Sequence, residues 1–464
     1  MAAKVKSSYI CQTCGYASPR WMGKCPDCGA WNTLVEEIIP AKNAKRRTTL
    51  AMQTVKLLGL DELPVDQEPR ISSGYKELDR VLGGGLVKGG VVLIGGPPGI
   101  GKSTLLLQVS GMLASKGLNV LYISGEESLS QIKLRAERLE MSAPTLKILS
   151  ESSLEIITGV IEATQPGFVV MDSIQTVFSS DFESLPGHIG QVRYCGHTLT
   201  KLAKDKQIPM FLVGQVTKDG SLAGPRVLEH LVDCLLLFEG DDQHVYRLLR
   251  TAKNRFGSTN EVGIFEMGSK GVTEVKNPSA HLIGNQAHTA SGTCIAVSLE
   301  GTRPLLVEIQ ALVTPSSYGT PQRNATGFDA RRLAMLLAVL EKRLGLHFGT
   351  QDVFINAAGG LRLIDPGVDL AVALAIVSSL KEQVLPPKTA VFGEIGLSGE
   401  VRSVTQSAQR ISEVSRLGFD SVILPVDTAK GIKRPDKLNL LSASTVQNAV
   451  DQLSNSSNFR GSRI

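Results

Sequence analysis

Gly96-Pro97-Pro98-Gly99-Ile100-Gly101-Lys102-Ser103 matches the pattern G-x-x-x-x-G-K-[ST] at every required position, and Thr104 follows it. Just before it, the apolar, β-branched run Val91–Ile94 predicts a strand. Just after it, residues 102–116 have helical character. A strand running into the loop and a helix leaving it are the context the pattern requires. Glycines let successive backbone N–H groups turn inward around an anion, and the helix N-terminus adds partial positive charge. Lys102 then supplies a mobile charge to the β- and γ-phosphates of a bound nucleotide, and the Ser103 hydroxyl a ligand for Mg²⁺. The bland reading, a glycine-rich turn with a chance lysine, explains neither flank.

Working outward, short β-branched runs alternate with helical stretches from about residue 70 to 275. This pattern predicts an α/β domain with a parallel sheet and crossover helices. Strands are expected at Val91–Gly95, Val120–Ser124, Phe168–Asp172, Met210–Val213 and Cys234–Phe238. Asp172 closes an apolar strand, where a carboxylate holds Mg²⁺ through water; a capping role is the alternative. Ser124-Gly125-Glu126-Glu127 follows the neighbouring strand, so Glu126 is the candidate base for an attacking water, with Glu127 in reserve.

The first residues carry a second signal. Cys11-Gln-Thr-Cys14 and Cys25-Pro-Asp-Cys28 are two C-x₂-C pairs, each trailed by glycine. Four thiolates close a tetrahedral Zn²⁺ shell, which makes a structural site with no open position. A redox dithiol is the competing reading of a single pair, but two pairs so close together favour zinc. Trp21 and Trp31, the only tryptophans, are expected to pack the small core of this module.

The 464 residues exceed one core, and the apolar share of 42% with a charged share of 20% is ordinary for globular protein. A formal net charge of +5 is compatible with nucleic-acid contact without demanding it. No secretory leader or membrane span is read from the sequence, so the expectation is a cytoplasmic protein with no membrane partner. The boundaries are a zinc module at 1–35, a linker at 36–65, an ATPase domain at 66–280 and a further domain at 285–464. In the last, strands are expected at Thr293–Val297, Leu305–Ala311 and Val353–Asn356, and helices at Asp329–Leu344 and Leu370–Leu380.

Ser73-Gly-Tyr-Lys-Glu-Leu-Asp79, Gly83-Gly84-Gly85, the phosphate loop and Ser124–Glu127 together resemble the RecA/DnaB/KaiC-type ATPases. Lys253-Asn254-Arg255-Phe256-Gly257, with the order zinc module, ATPase, Lon-protease-like domain, narrows the resemblance to the RadA (Sms) family of bacterial DNA-repair ATPases. The resemblance implies ATP, Mg²⁺ and Zn²⁺ as cofactors and a homo-oligomeric ring, a hexamer. It implies single-stranded and branched DNA as partners, alongside the RecA recombinase. Gln215 matches a γ-phosphate sensor, and residues 217–226, with Lys218 and Arg226, match a DNA-contacting loop. Lys253 and Arg255 match cations inserted into a neighbour's active site; by spacing alone they are equally a solvated turn.

The last domain resembles the proteolytic domain of Lon but lacks its serine–lysine dyad. Gly367 stands at the nucleophile position, and Ala408 or Gln409 stands near the lysine position. It is expected to be an α+β scaffold for ring assembly, with Arg323, Arg331 and Arg332 as DNA contacts. The leading function is a DNA-dependent ATPase and helicase that drives branch migration in recombination repair. The alternatives are a non-motor ATP-driven switch of the KaiC kind and, further off, an ATP-dependent protease.

Overall fold

The computed structural model describes residues 6–11, 16–27, 29–39, 70–182, 184–215, 226–240, 246–283, 290–316, 319–432 and 437–458. The chain divides into two compact units. The first is Met1–Asp242, Arg247–Thr259 and Gly263–Glu274; the second is Gln243–Tyr246, Asn260–Val262 and Val275–Ile464.

The first unit opens with a small antiparallel sheet of β1 (Lys6–Cys11), β2 (Ala17–Ser18) and β3 (Leu34–Ile39), in the order β2-β1-β3. Cys11, Cys25 and Leu34 form its buried core, with Tyr9 and Met22 packed against them. β3 pairs with β1 as far as Lys6↔Ile39, so the stretch after residue 35 begins as strand, not as linker. Trp21 and Trp31 do not enter this core. They are 55% and 69% exposed, while among the described residues the core is made of two cysteines and a leucine with Tyr9 and Met22 against them.

The ATPase part follows in chain order as α1 (Lys76–Leu82), β4 (Val91–Gly95), α2 (Lys102–Ser115), β5 (Val120–Ser124), α3 (Leu129–Arg138) and β6 (Leu146–Ser150). Next come α4 (Leu154–Thr164), β7 (Phe168–Asp172), α5 (Ile189–Lys206), β8 (Met210–Val213), α6 (Arg226–Glu229) and β9 (Cys234–Glu239). β10 (Tyr246–Asn254), β11 (Val262–Gly268) and β12 (Gly271–Glu274) complete it. Four of the five strands expected from the sequence coincide with observed ones, and the fifth runs one residue further, to Glu239.

These strands make one sheet in the order β12-β11-β10-β9-β4-β8-β7-β5-β6. The six strands from β9 to β6 are parallel, and β10 turns back antiparallel on β9. Alternation along each strand divides the core between the two faces. Val92, Ile94, Tyr122, Val170 and Phe211 pack with α1 and α2, while Val91, Leu93, Ile123, Met171 and Leu212 pack with α4 and α5. Burial on both faces explains why these strands read as unbroken apolar runs. Each such side chain contributes about 1.5–3 kcal/mol, so the sheet is the stable platform on which the loops at its ends are placed.

The second unit contains α7 (Pro278–Leu282), β13 (Thr293–Glu300), β14 (Arg303–Pro315), β15 (Arg323–Thr326), α8 (Ala330–Leu344), β16 (Gln351–Ala357) and α9 (Asp369–Leu380). β17 (Thr389–Val391), β18 (Glu394–Ile395), β19 (Val401–Arg402), α10 (Ser407–Arg416) and β20 (Ser421–Pro425) follow. α11 (Val426–Gly431), β21 (Asn439–Ala443) and α12 (Val446–Asn458) close the chain. Its main sheet is mixed, in the order β15-β16-β14-β13-β17-β20-β21. In α8, Leu333, Leu336, Leu337 and Leu340 form a single buried stripe, and the Asp329 carboxylate caps the helix by accepting from Arg332 N at 2.9 Å. α9 is buried on every side from Asp369 to Ser378, as its nearly uniform apolar sequence requires. Among the described residues, no helix is long and apolar enough to cross a membrane.

Two arginines expected to meet DNA are bound internally. Arg332 forms a two-pronged ion pair with the buried Asp369, Nε donating to Oδ1 at 2.6 Å. Arg323 donates to the carbonyls of Phe348, at 2.6 Å, and of Gln351. Their charges compensate groups of the fold itself; Arg331 remains exposed.

Candidate active site

β4 ends at Gly95, and the loop 96–101 wraps round to the start of α2. Gly101, the residue before the helix, has φ +112°, a conformation that side-chain-bearing residues avoid. A Cβ at Gly96 would lie 2.8 Å from the Phe238 carbonyl oxygen, so close packing also requires glycine there. Lys102 is 6% exposed and folds over its own loop, Nζ donating to the Gly96 and Pro97 carbonyls at 2.7 and 2.8 Å. Burial pushes its pKa down, against the pull of the Asp172 and Glu126 carboxylates. The ammonium therefore sits on weak neutral acceptors, within the field of two acids, at the mouth of a helix.

Asp172 ends β7 at the same end of the sheet, and its carboxylate is almost wholly buried. Oδ2 accepts from the Tyr122 hydroxyl at 2.5 Å, and Ser103 also hydrogen-bonds the group. Burial raises the Asp172 pKa while those two donors hold it back. Glu126, beyond the end of β5, accepts from Ser173 Oγ at 2.5 Å and from Gln215 Nε2 at 3.3 Å. Lys102, Ser103, Asp172, Glu126 and Gln215 thus gather at the carboxyl ends of β4, β7, β5 and β8, where ligands of open parallel sheets bind. Glu127 points elsewhere: its carboxylate pairs with Arg135, and burial raises its pKa. This leaves Glu126 as the acid that faces the loop.

Lys253 and Arg255 lie at the opposite end of the sheet. Lys253 Nζ donates to the Glu229 and Val232 carbonyls at 2.6 and 2.9 Å, and Arg255 Nη1 pairs with Asp233 Oδ1 at 3.3 Å. Asp233 in turn accepts from Val91 N at the first residue of β4 and pairs with Lys204. A whole strand, roughly 13 Å, separates these cations from the phosphate loop of their own chain. Burial, and next Arg255, lowers the Lys253 pKa. The rest of the motif fixes this corner. Asn254 Nδ2 donates to Val81 O at 3.2 Å, Arg70 donates to the Phe256 carbonyl at 2.6 Å, and Gly257 rests on Gly83 so closely that an added Cβ would lie 2.8 Å from its Cα. The glycine run 83–85 and the 253–257 segment, far apart in sequence, are therefore one packing unit.

Comparison with known proteins agrees with this architecture. Family models match residues 9–36 as a rubredoxin metal binding domain, 60–221 as an AAA domain, and 322–428 as subunit ChlI of Mg-chelatase. The chain is 51% identical to the DNA repair protein RadA of Bacillus subtilis over 97% of this chain and 98% of that one. It is 47% identical to the RadA of Listeria monocytogenes and 48% identical to that of Streptococcus pyogenes serotype M1, over 97% and 96% of this chain and 98% of each relative. It belongs to the RadA family of DNA repair proteins. Among solved structures, a KaiC-like protein of Pyrococcus horikoshii is 19% identical and aligns with a TM-score of 0.38 over 45% of this chain and 99% of that one, too faint a likeness to bear on function.

In this RadA-family chain the two cysteine loops close alike. Cys11 N donates to Tyr16 O at 2.8 Å and Cys25 N to Ala30 O at 2.9 Å, five residues on in each case. Both thiols are buried, and Cys11 Sγ also lies 3.1 Å from Thr33 Oγ1. Paired loops presenting buried thiols from matching positions fit a zinc ion; Cys14 and Cys28 lie outside the described residues, as do Lys218 and the rest of 216–225. Arg226 begins α6.

In the second unit, Gly367 is buried and its N–H donates to Asp365 Oδ1 at 2.9 Å. The fully buried Arg410 pairs with Asp365 Oδ2 at 2.6 Å. A Cβ at Gly367 would already be 3.0 Å from Arg410 Nη1, so the ion pair packs directly against this position.

Sequence reasoning missed Tyr122, Ser173 and Asp233. A phenol inside an otherwise aliphatic strand, beside an expected metal-holding aspartate, was the one available signal for Tyr122. Nothing local marks Asp233, whose side-chain partners Val91, Lys204 and Arg255 come from three separate segments.

Proposed function

We propose that this chain is a DNA-dependent ATPase and helicase that drives branch migration of recombination intermediates in DNA repair. The observation that carries this reading is the gathering of Lys102, Ser103, Asp172, Glu126 and Gln215 around one phosphate-type loop. Lys102 and the loop amides of 96–104 hold the β- and γ-phosphates of ATP, and Lys102 leaves the Gly96 and Pro97 carbonyls to do so. Ser103 and Asp172 would hold magnesium, which would supply charge neutralisation at the phosphate oxygens. Glu126, fixed by Ser173, orients the attacking water and takes its proton. Gln215 reports the γ-phosphate to the segment that follows it, which contacts DNA.

Lys253 and Arg255 complete the active site of a neighbouring subunit. Their distance from the phosphate loop of their own chain supports this, since they serve an active site only across an interface. A closed homo-oligomeric ring, a hexamer, supplies such interfaces in sequence around single-stranded DNA. The RecA recombinase is the partner on branched intermediates, and the setting is cytoplasmic. Zinc on Cys11, Cys14, Cys25 and Cys28 braces the N-terminal module, and the Lon-like domain acts as an assembly scaffold. A protease is disfavoured by the Arg410–Asp365 pair at Gly367.

The test is ATP turnover with and without single-stranded DNA, run beside a labelled branched substrate. Stimulated turnover with ATP-dependent branch movement is the expected result. Turnover without branch movement or unwinding would assign the chain to the switch class instead.

A further inference from the structure

Two tryptophans of the zinc module lie outside its core, on one surface. Indole rings are among the largest apolar groups a protein can bury, and small modules have few of them. Here the interior is closed by Cys11, Cys25 and Leu34, while Trp21 and Trp31 stay 55% and 69% exposed. They flank one residue: a Cβ built on Gly23 would lie 3.6 Å from Trp21 Cη2 and 3.9 Å from Trp31 Cζ3. Because Gly23 has no side chain, the space between the indole edges is left open.

The surroundings of the pair are hydrogen-bonded and cationic. Asn32 N donates to Gly23 O at 2.7 Å, and Lys24 and Trp31 face each other as an isolated antiparallel bridge. Lys24 Nζ stands 5.6 Å from the centre of the Trp31 ring, and Arg20 is exposed next to Trp21. We propose that Trp21 and Trp31, with Lys24 and Arg20, form a stacking site for the unpaired bases of single-stranded DNA.

The chemistry selects this occupant. Two exposed π faces offer stacking to any base, and ammonium and guanidinium groups at their edges match the phosphates that connect successive bases. A duplex keeps its base faces stacked internally and cannot use such a site. The site would hold the strand at the zinc module. This inference rests on the DNA-acting reading above, and its test separates the two.

Trp21 and Trp31 are the only tryptophans in the chain, so intrinsic indole emission reports on this site alone. The full-length protein is titrated with fluorescein-labelled oligo-dT, following anisotropy of the label and tryptophan emission on matched samples with unlabelled oligo-dT. Quenching that saturates at the same DNA concentration as the anisotropy change is expected. Trp21→Ala and Trp31→Ala should each weaken binding about tenfold, with zinc content and DNA-free ATP turnover unchanged, and Trp31→Phe should recover part of the loss. A duplex of the same length should not quench. Saturable anisotropy with unaltered emission, and wild-type affinity in the variant with both tryptophans changed to alanine, would overturn the site while leaving the DNA reading intact. No anisotropy change with any single strand would overturn both.

Discussion

The Tyr122 hydroxyl donates to Asp172 Oδ2 at 2.5 Å from inside the sheet, where the ring is 1% exposed. One carboxylate oxygen is thereby tied to the fold, and Ser103 at the start of α2 also hydrogen-bonds the carboxylate. Burial works against the ionised form of Asp172, and the tyrosine hydrogen bond is the strongest influence restoring it. Tyr122→Phe removes that bond at nearly constant volume. A hydrogen bond to a charged group contributes about 1.5–3 kcal/mol, so the Mg²⁺ concentration for half-maximal ATP turnover should rise roughly tenfold. Removing the donor lets the raised Asp172 pKa rise further, so the acid limb of the pH–rate profile should move to higher pH. An unaltered Mg²⁺ requirement and acid limb would show that Tyr122 only fills space.

Lys253 is the subject of a mixing experiment. Lys253→Ala alone should retain nucleotide binding and lose most turnover, since the neighbour's site lacks its cation. Lys102→Ala alone should also be inactive. Random mixing of the two variants at equal ratio places an intact loop against an intact Lys253 at about a quarter of interfaces. Recovery of turnover on mixing is the expected result, and no recovery at any ratio would contradict action across an interface.

Much of this site was legible in the sequence because its parts are local. The loop 96–103, the strand ending in Asp172 and the pair Glu126-Glu127 each carry their meaning within a few residues, and the apolar runs gave the strands nearly to the residue. What the sequence did not reveal depends on contacts between distant segments. Glu127 is paired with Arg135 and Glu126 with Ser173, a difference between adjacent acids that no local pattern carries. Trp21 and Trp31 read as core residues, since an indole is apolar, yet among the described residues the core of the module is Cys11, Cys25 and Leu34. Arg332, expected as a DNA contact, instead pairs with Asp369, a carboxylate buried at the start of α9 and distant in sequence.

Gly257 gives a stability prediction. Gly257→Ala would place Cβ 2.8 Å from Gly83 Cα, backbone against backbone with no flexible side chain to yield. Thermal unfolding should show a loss of about 1–3 kcal/mol, and DNA-stimulated turnover should fall because Lys253 and Arg255 sit on the same segment. An unchanged melting temperature would mean that the two glycine segments are not tightly packed.

Cys25→Ser tests the metal module. The thiol is buried at the head of one of two matching loops, and a structural zinc site loses its ion when one of four thiolates is removed. Metal analysis should find about one zinc per chain in the wild type and a large loss in the variant. Full zinc retention would contradict the four-thiolate assignment.

The most direct test of the whole account is steady-state ATP hydrolysis by the wild-type chain and by Lys102→Ala, each with and without single-stranded DNA. Hydrolysis by the wild type should be stimulated by DNA, and the variant should lose at least about a hundredfold while still folded by circular dichroism. Equal turnover by the two proteins would contradict it.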